Sequence, residues 1–487
     1  MLDESLEMPP NISPVLIDQL SDLLGPKGFT ADQDAIAPWL TDWRGRFHGA
    51  APAMLSPAST DEVQAIVKLT SIHGVPLVPQ GGNTSMVGGA TPPVDGSALI
   101  LSLRRMNRLR SISADDNIAV VDAGMILSDL HDAAAAVDRR FPLSLGAKGS
   151  ATIGGLTSTN AGGTQVLRFG TMRSLVLGIE AILPDGSRFD GLSALRKDNR
   201  GYDLKHLLIG AEGTLGIITG VSLRLFPAIT DSAVAWVGLN SPGDALVLLR
   251  RLEAARADAI ESFELIPGDS LGLVLKHIPG TRSPLADAHP WHALVEAVSD
   301  GDASSFLESE IAAGLNDGLV RDATLAANET QASAFWRIRE SISEAERASG
   351  PAVQHDISVP VAAMPDFMLS AAKTMEAAFP GTSASAFGHL GDGNVHFHVR
   401  APAGADRATW NAESGHVISQ RVHDLVVAAG GSISAEHGIG QMKLAEFERL
   451  ADPGRIAALR AIKGALDPQQ LMNPGKLVRL ASSGARP

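Results

Sequence analysis

One short segment, Pro79-Gln80-Gly81-Gly82-Asn83-Thr84-Ser85, constrains this chain more than any other. It follows an apolar stretch at residues 75–78 that is predicted to be a strand, so the segment should turn tightly at a strand end. In such a turn consecutive backbone N–H groups can point inward and bind an anion. The segment lacks the G-x-G-x-x-G spacing of a Rossmann turn, and the chain has no Walker A sequence. An ordinary strand-to-helix turn is the alternative.

Two further segments also offer bare backbone to a ligand. One runs from Gly146 to Gly163 and contains Gly149, Gly154, Gly155 and Gly162, and the other covers residues 210–216. Glycine concentrates where the backbone must approach a ligand closely. Three such segments in one domain suggest a long cofactor that lies against the backbone.

Length and composition narrow the possible classes of protein. The 487 residues exceed the size of about 250–300 residues at which single domains stop growing, so we expect two domains. A net charge of −14 makes nucleic acid an unsuitable partner. The absence of cysteine excludes disulfides, iron–sulfur clusters, thiolate nucleophiles and cysteinyl-flavin links, so a metal would need imidazole or oxygen ligands.

Targeting and membrane segments are not expected. The first 14 residues are acidic and lack the apolar stretch of a signal peptide. The most apolar long stretch, residues 207–226, contains Glu212, Arg224 and four glycines, which is typical of buried strands and turns. We therefore expect no membrane span and a cytoplasmic protein.

The pattern of elements predicts an α+β protein. Ser59 to Glu62 form a polar cap that should open a helix to about residue 73. After Pro227 strands and helices alternate in longer segments, which is typical of a second α+β domain. Glycines return at 388–393 and 430–440, so the chain should come back to the first domain. The predicted divisions are an N-terminal segment at 1–46, a cofactor domain at 47–228, a substrate or cap domain at 229–430 and a returning segment at 431–487.

Histidines crowd one face of a predicted strand near residue 396. Residues 394–400 alternate in polarity, which places Asn394, His396, His398 and Arg400 on one face. A turn at residues 391–393 should bring His389 back near His396. Neutral imidazole suits Zn²⁺ and neighbouring metals, so the cluster indicates a metal site; a hydrogen-bonded polar strand face is the alternative.

An arginine lies beside the buried stripe of a predicted helix. Residues 331–347 place Phe335, Ile338 and Ile342 on one stripe, with Arg339 and Ser343 next to it at i and i+4. A guanidinium near a buried face suits a substrate carboxylate, because its two parallel N–H groups bind two oxygens. A surface arginine whose stem covers apolar area is the alternative.

These motifs resemble a known group of flavoproteins. The loop at 79–85 and the segment Gly146 to Gly163 are similar to the FAD domain of the vanillyl-alcohol oxidase / p-cresol methylhydroxylase (PCMH) superfamily. Residues 195–219 and Asn473-Pro474-Gly475-Lys476 resemble its D-2-hydroxyglutarate / D-lactate dehydrogenase branch. The likeness runs from about residue 50 to 478, in order. It implies a two-part PCMH-type FAD-binding domain and a cap domain with an antiparallel sheet covered by helices.

The resemblance implies FAD held by the glycine-rich segments. Some relatives tether FAD through a histidine in the phosphate loop, and this loop has none, so non-covalent FAD is expected. The expected cofactor contacts are Pro79, Gln80, Gly81, Gly82, Asn83, Thr84, Ser85, Pro142, Gly146, Ala147, Gly149, Ser150, Ile153, Gly154, Gly155, Asn160, Gly162, Gly163, Glu212, Gly213, Gly216, Ile217, Ile218 and Asn473.

The resemblance also implies roles at the substrate. His389, His396 and Glu436 match residues that hold a divalent metal, with zinc expected first and manganese or cobalt as alternatives. His437 matches the base. Such a metal would lower the pKa of the substrate hydroxyl, His437 would accept its proton, and a hydride would leave C2 for flavin N5. The remaining expected substrate contacts are Arg339, Ser343, Gln354, His398 and Asn394.

Two positions depart from the family pattern. Gln354 matches a lysine that precedes the D-[IVL]-S-[VL]-P segment, and His398 matches a position that is usually asparagine in the D-2-hydroxyglutarate enzymes. The loss of one positive charge should weaken the binding of a substrate carboxylate or change its geometry. These departures leave the 2-hydroxy-acid class in place and put D-2-hydroxyglutarate itself in question.

The sequence therefore predicts a metal-assisted FAD dehydrogenase of a D-2-hydroxy acid, of the D-2-hydroxyglutarate or D-lactate type. Glycolate or D-malate oxidation, a non-oxidative flavin-dependent transferase and an electron-relaying subunit are the alternatives. Electrons should pass to an electron-transfer flavoprotein, a quinone or a cytochrome, or less readily to oxygen, and no NAD site is evident. The family is often dimeric, so a homodimer is one expected assembly.

Overall fold

A computed structural model describes residues 12–195 and 197–480, and these form two compact units. Unit 1 comprises residues 12–161, 171–228 and 437–480, and unit 2 comprises Gly162–Gly170 and Ile229–Glu436. The sequence prediction also begins the second domain at residue 229, but it places the return at 431 and assigns 162–170 to the first domain. Parts of the predicted end segments, residues 1–11 and 481–487, lie outside the described residues.

Both units contain helices and strands. The described strands are β1 (Phe29–Thr30), β2 (Met54–Leu55), β3 (Leu77–Gln80), β4 (Leu99–Ser102), β5 (Leu109–Ser113), β6 (Ile118–Asp122), β7 (Arg139–Arg140), β8 (Val176–Ile182), β9 (Arg188–Gly191), β10 (Ile217–Arg224), β11 (Phe226–Pro227), β12 (Asp231–Leu239), β13 (Ile260–Pro267), β14 (Trp291–Ser299), β15 (Asp322–Leu325), β16 (Ala352–Ser358), β17 (Ser383–His389) and β18 (Asn394–Arg400).

The described α-helices are α1 (Pro14–Gly28), α2 (Gln33–Ile36), α3 (Thr60–His73), α4 (Leu127–Ala135), α5 (Ile153–Thr159), α6 (Val166–Phe169), α7 (Met172–Leu175), α8 (Leu204–Leu208), α9 (Pro242–Arg256), α10 (Gly268–His277), α11 (Ala303–Asn316), α12 (Glu329–Glu340), α13 (Ile342–Ser349), α14 (Met364–Ala378), α15 (Arg407–Trp410), α16 (His416–Ala428), α17 (Leu444–Leu450) and α18 (Pro453–Leu466). Short 3-10 turns lie at Ala37–Trp39, Leu103–Arg105 and Val361–Ala363, and a π turn at Asn411–Gly415.

Unit 1 contains two larger sheets, as the two-part domain predicts, and a small two-stranded sheet of β7 and β11. The first has the order β1-β2-β4-β3, in which β4 runs parallel to both β2 and β3. The second is antiparallel throughout and has the order β5-β6-β10-β8-β9. The glycine-rich turn follows β3, at the edge of the first sheet.

The helix before that turn has strong end signals. Ser59 Oγ accepts from Glu62 N at 3.1 Å, which satisfies one of the free N–H groups at the start of α3. Gly74 ends the helix in the left-handed conformation. Val63 and Ile66 are fully buried. The helix predicted to follow residues 59–62 is therefore confirmed, and its end leads directly into β3.

Unit 2 is built on one seven-stranded antiparallel sheet of order β15-β12-β14-β13-β17-β18-β16. One face packs against α9, α11, α14 and α16 through residues such as Leu248, Leu307, Met368 and Val422. The other face packs against α10, α12 and α13 at the β12 and β14 side. The predicted cap-type architecture, an antiparallel sheet covered by helices, is confirmed.

The alternation predicted for residues 394–400 is present in β18. Val395, Phe397 and Val399 are buried in the core on the α9 face. Residues of equal register on β16 and β17 share the opposite face with Asn394, His396, His398 and Arg400. This second face is therefore apolar at one end of the sheet and polar at the other.

The helix predicted over residues 331–347 is two helices. α12 ends at Glu340, and Ser341, with φ −83° and ψ −3°, separates it from α13. Phe335, Ile338, Ile342 and Ala345 still lie in one buried cluster, so the break keeps both apolar stripes on the sheet. Sequence periodicity could not show the break, because the spacing of the buried residues continues across it.

Among the described residues, no helix is both long and apolar enough to cross a bilayer.

Candidate functional site

The turn after β3 in unit 1 leaves a run of backbone N–H groups available. Gln80 Nε2 donates to Trp39 O at 3.0 Å, and Asn83 Nδ2 donates to Thr41 O at 2.9 Å, so these side chains fix the turn from outside. In the described part of the chain, the N–H groups of residues 81–85 have no hydrogen-bond acceptor. Successive N–H groups of this kind bind an anion. The turn can therefore hold a phosphate.

Glycine is required in this turn by close packing. A Cβ on Gly82 would lie 1.8 Å from Ser150 O, and one on Gly81 would lie 2.2 Å from Thr152 Oγ1. Both partners belong to the second glycine-rich segment. The two segments that the sequence singled out thus lie against each other within unit 1, and larger side chains would separate them.

The second segment combines tightly packed and open glycines. A Cβ on Gly154 would lie 2.5 Å from Ala123 Cβ, whereas one on Gly146 or Gly149 would meet nothing within 4 Å. Open backbone of this kind is what a ligand lying along the chain needs. The other predicted contacts here are Gly155, Ala147 and Ser150, which are at least partly exposed, and Pro142 and Ile153, which are buried.

The end of this segment is anchored by a side chain. Asn160 is in the left-handed conformation, and its Oδ1 accepts from Thr171 Oγ1 at 2.8 Å and from Arg173 N at 2.9 Å. The structure therefore gives the Asn160 oxygen a role in shaping the chain. The following Gly162 and Gly163 are buried and belong to unit 2.

The carboxylate of Glu212 already accepts hydrogen bonds from the backbone of unit 1. It accepts from Ile439 N and Gly440 N, both at 2.7 Å, and burial raises its pKa. Asn473 Nδ2 donates to Glu212 O and to Gly89 O, while its buried Oδ1 has no partner among the described residues. The remaining predicted contacts lie beside them: Gly213, which packs on Pro79, and the buried Gly216, Ile217 and Ile218 at the start of β10.

These features fit an FAD molecule held by unit 1. The N–H groups of the turn suit a pyrophosphate, the open glycines suit close approach, and Asn473 Oδ1 is a buried acceptor that meets no donor among the described residues. Glu212 instead stabilises the backbone that follows His437. None of these side chains is a histidine or cysteine that could form a covalent link to flavin.

Unit 2 brings together the three predicted metal ligands. One ligand atom each from His389, His396 and Glu436 lies within 4.8 Å of the others. His389 lies at the end of β17 and His396 on β18, and their ring centroids are 5.5 Å apart. The turn at 390–393 creates this approach, as predicted. Two imidazoles and one carboxylate form a donor set that suits zinc and leaves a position open for a substrate.

Glu264, on β13, contacts both this cluster and Arg339, the residue predicted to bind the substrate carboxylate. Its Oε1 accepts from His389 Nδ1 at 2.6 Å, and its Oε2 accepts from Arg339 Nε at 2.7 Å. Burial would raise the pKa of Glu264, but the positive charges of His389 and Arg339 hold it at about 2. An ionised carboxylate only accepts, so His389 carries its proton on Nδ1 and directs Nε2 toward Glu436.

Burial and neighbouring charges shift the pKa values of the three predicted ligands, upward for His389 and Glu436 and downward for His396. Burial lowers the pKa of His389, but Glu264 outweighs this and raises the pKa to about 9. Burial, with Arg339 and His389 adding, lowers the pKa of His396. Burial also raises the pKa of Glu436, against the effect of His389. A cation in this site would have to displace the extra proton on His389.

Asp356 binds both Glu436 and a new member of the site, Asn394. Its Oδ2 accepts from the backbone N of Glu436 at 2.9 Å, and its Oδ1 accepts from Asn394 Nδ2, also at 2.9 Å. Asp356 and His396 are opposite each other on β16 and β18. Asn394, predicted to contact substrate, is buried, and its Oδ1 has no partner among the described residues.

The guanidinium of Arg339 is presented in one orientation. It lies 5.1 Å from the ring centroid of Phe387, which also adjoins His396 at 5.1 Å. Its Nε is bound by Glu264, and among the described residues its two Nη groups have no acceptor. A buried guanidinium with its outer pair of donors available suits a carboxylate. Ser343, predicted to contact substrate, is exposed on the next helix.

The two atypical positions face each other. Gln354 on β16 and His398 on β18 are register partners, and Phe387 lies 5.2 Å from the ring of His398. His398 Nδ1 pairs with the fully buried Glu346 of α13. The Oε1 of Glu346 has no partner among the described residues.

His437 follows Glu436 directly and is the first residue of unit 1 after the chain leaves unit 2. It is partly buried. Gly438 is in the left-handed conformation, and Ile439 and Gly440 donate to Glu212. Because Glu212 holds the backbone immediately after His437 by two hydrogen bonds, the turn that contains His437 has a defined conformation. Its role as the base stays a prediction.

Sequence reasoning missed three buried acids and one ring. They are Glu264, Glu346 and Asp356, all nearly without solvent exposure, and Phe387. A signal existed for Glu264, a charged residue between the apolar Phe263 and Leu265 of a predicted strand. Asp356 is the aspartate of the D-[IVL]-S-[VL]-P segment, and that pattern alone does not indicate its partners. Glu346 gave less signal, because carboxylates are common on helices.

Two family models match the chain. The "FAD binding domain" model covers residues 51–190, and the "FAD linked oxidases, C-terminal domain" model covers residues 230–477. The second match begins one residue after the start of the main part of unit 2 at Ile229, and residues 191–229 lie between the two matches. Together they cover the segments that carry the anion-binding turn and the histidine cluster.

Named relatives and a solved structure are also similar to the chain. It is 35% identical to a D-2-hydroxyglutarate dehydrogenase, mitochondrial, of Arabidopsis thaliana, over 95% of this chain and 81% of the relative. It is 34% identical to a putative mitochondrial D-lactate dehydrogenase of Schizosaccharomyces pombe, over 95% of this chain and 87% of the relative. A structure of p-cresol methylhydroxylase with substrate bound matches with a TM-score of 0.74 at 15% identity, covering 95% of this chain and 96% of that one. The structural match shows a shared fold.

Proposed function

The chain belongs to the D-2-hydroxyglutarate / D-lactate dehydrogenase branch of the FAD-linked oxidases and is an FAD-dependent dehydrogenase, and we propose that it oxidises a D-2-hydroxy acid to the 2-oxo acid with the help of a divalent cation. The relatives' names support the 2-hydroxy-acid class. Cation and mechanism are supported by the residues of unit 2.

One observation supports the proposal most strongly: Glu264 contacts both Arg339, which suits a carboxylate, and His389 of the cation site, which suits a hydroxyl. Arg339 offers two free Nη donors, and His389, His396 and Glu436 offer a cation site. A 2-hydroxy acid carries a carboxylate and a hydroxyl on adjacent carbons. The contacts of Glu264 with both Arg339 and His389 therefore bring together the two kinds of group that such a substrate needs.

When bound, FAD would accept a hydride from C2 at N5, and zinc, or alternatively manganese or cobalt, would lower the pKa of a ligating hydroxyl. Arg339 would hold the carboxylate through its Nη pair. His389, His396 and Glu436 would hold the cation, with Asp356 and Glu264 keeping two of them in place. His437 would take up the hydroxyl proton, since an imidazole has an ordinary pKa near neutrality.

The leading substrates are D-2-hydroxyglutarate and D-lactate, after the names of the relatives. Glycolate and D-malate are the next candidates. The electron acceptor is proposed to be a separate carrier, such as an electron-transfer flavoprotein, a quinone or a cytochrome. A homodimer in the cytoplasm remains the expectation for assembly and location.

A panel of D- and L-2-hydroxy acids with a dye acceptor tests the proposal. Dye reduction with at least one D acid and not with its L enantiomer is expected. Arg339→Lys should raise KM for that acid, because a single ammonium cannot replace the planar pair of donors. Dye reduction with no acid, or an unchanged KM in the Arg339→Lys variant, would contradict the proposal.

A further inference from the structure

We propose that Glu264 is a positioning residue that sets the metal ligand His389 and the substrate arginine Arg339 at the same time. This inference rests on the proposed function, because it concerns the same site. Nothing in the sequence pattern assigned a role to Glu264. Its importance emerges from the contacts of its two oxygens.

The first contact determines which nitrogen of His389 is available. Glu264 is the register partner of His389 across β13 and β17, and its Oε1 accepts from Nδ1 at 2.6 Å. Only Nε2 is then left for a cation. Metal-binding histidines usually donate their other ring N–H to a carboxylate, which fixes the ring and strengthens the ligand. Glu264 has that relation to His389.

The second contact determines which donors of Arg339 are available. Glu264 Oε2 accepts from Nε at 2.7 Å, so a substrate carboxylate must bind at the two Nη groups. Phe387 lies against the guanidinium and limits its rotation. Within the described residues no other acceptor engages Arg339. Without Glu264 the guanidinium would lose the partner that sets its direction.

Glu264 itself cannot easily turn away. It is fully buried, and Ser262 Oγ donates to Oε1 at 3.0 Å in addition to the two charged partners. A buried carboxylate with three donors has one stable orientation. A shift of either His389 or Arg339 must therefore be accommodated by the other. The cation and the substrate carboxylate should be recognised jointly.

The test compares Glu264→Gln with Glu261→Gln in the FAD-containing protein. Glu261 is equally buried on the same strand, but it pairs with Arg168 and Gln165 at 2.9 Å. Zinc affinity is measured by competition with a chromophoric chelator. Affinity for oxalate, a carboxylate probe that cannot be dehydrogenated, is measured by calorimetry on zinc-loaded protein. Thermal melting reports whether each variant is folded.

Glu264→Gln should bind zinc about 10–100-fold more weakly and oxalate about tenfold more weakly, with Glu261→Gln close to wild type in both. If Glu264→Gln does not fold, Glu264→Asp, which keeps the charge but shortens the reach, should show the same two losses. Unchanged affinities, or loss of only one, would overturn the joint role. Wild-type protein that binds neither zinc nor oxalate would instead remove the proposed function, and this inference with it.

Discussion

Gln354 on β16 lies directly opposite His398 on β18, so the two positions at which this chain departs from its family's pattern are cross-strand neighbours. His398 is in turn bound by the buried Glu346. Gln354 is neutral, whereas the family resemblance implies a positively charged lysine at this position. This difference should decide which 2-hydroxy acid is preferred.

Restoring the lysine tests that relation. Gln354→Lys adds a positive charge beside His398 and should favour a substrate with a second carboxylate. The ratio of kcat/KM for D-2-hydroxyglutarate to that for D-lactate should rise about tenfold, as one added charged hydrogen bond can provide. Ala352→Lys, two residues away on the same face of β16, is the control and should change the ratio less. Equal ratios in both variants would contradict the relation.

Removing one metal ligand tests the cation site. His396→Ala should lower kcat by at least about a hundredfold and abolish stoichiometric zinc, since two ligands remain. The flavin content should not change, because the proposed FAD contacts, apart from Gly162 and Gly163, lie in unit 1. His416→Ala removes an exposed histidine from the same unit and should match wild type in all three measurements. Full activity in a zinc-free His396→Ala protein would show that the cation has no role.

A single methyl group should separate the two FAD-binding segments. A Cβ at position 82 would lie 1.8 Å from Ser150 O, so Gly82→Ala must displace one of the segments. We expect protein purified with less than about a tenth of the wild-type flavin, equivalent to a loss of more than about 1.4 kcal/mol in binding. Gly272→Ala, at an open helical position in unit 2, should retain flavin. Normal flavin content in Gly82→Ala would show that the turn is not a close-packed cradle.

A buried carboxylate in unit 1 predicts how stability depends on pH. Burial raises the pKa of Glu180, but Arg110, Thr60 and Thr219 outweigh it and lower the pKa from 4.5 to about 2. Because the folded pKa is the lower one, this group stabilises the fold above pH 4.5, and its contribution is lost as pH falls toward 2.

Urea unfolding of Glu180→Gln at about pH 6 and about pH 3.5 measures this contribution. The variant should be destabilised at both, and less at the lower pH. Glu340→Gln, at an exposed position of α12, should show little destabilisation at either pH. A destabilisation of Glu180→Gln that does not fall with pH would mean that the ionised form is not the one favoured by folding.

Local signals predicted much of the fold and the approach of His389 to His396. Capping residues fixed the start of α3, and strict alternation fixed the two faces of β18. The turn at 391–393 was enough to bring His389 to His396. These features depend on neighbours within a few residues, so the sequence contains them directly.

Tertiary relations were not predictable in the same way. The break at Ser341 keeps the spacing of buried residues, so periodicity could not reveal it. Glu264 binds partners 75 and 125 residues away, and Asp356 binds the backbone of a residue 80 positions later. Such contacts depend on sheet order. The sequence therefore predicted the histidine cluster better than the buried acids that contact it.

Anaerobic mixing of the FAD-containing protein with D- and L-2-hydroxy acids tests the central claim most directly, because it needs no electron acceptor. The absorbance of the oxidised flavin should fall, and stay low, with D-2-hydroxyglutarate, D-lactate or a related D acid, and should not change with the L enantiomer. No lasting fall with any D-2-hydroxy acid would contradict the claim that this chain is a D-2-hydroxy-acid dehydrogenase.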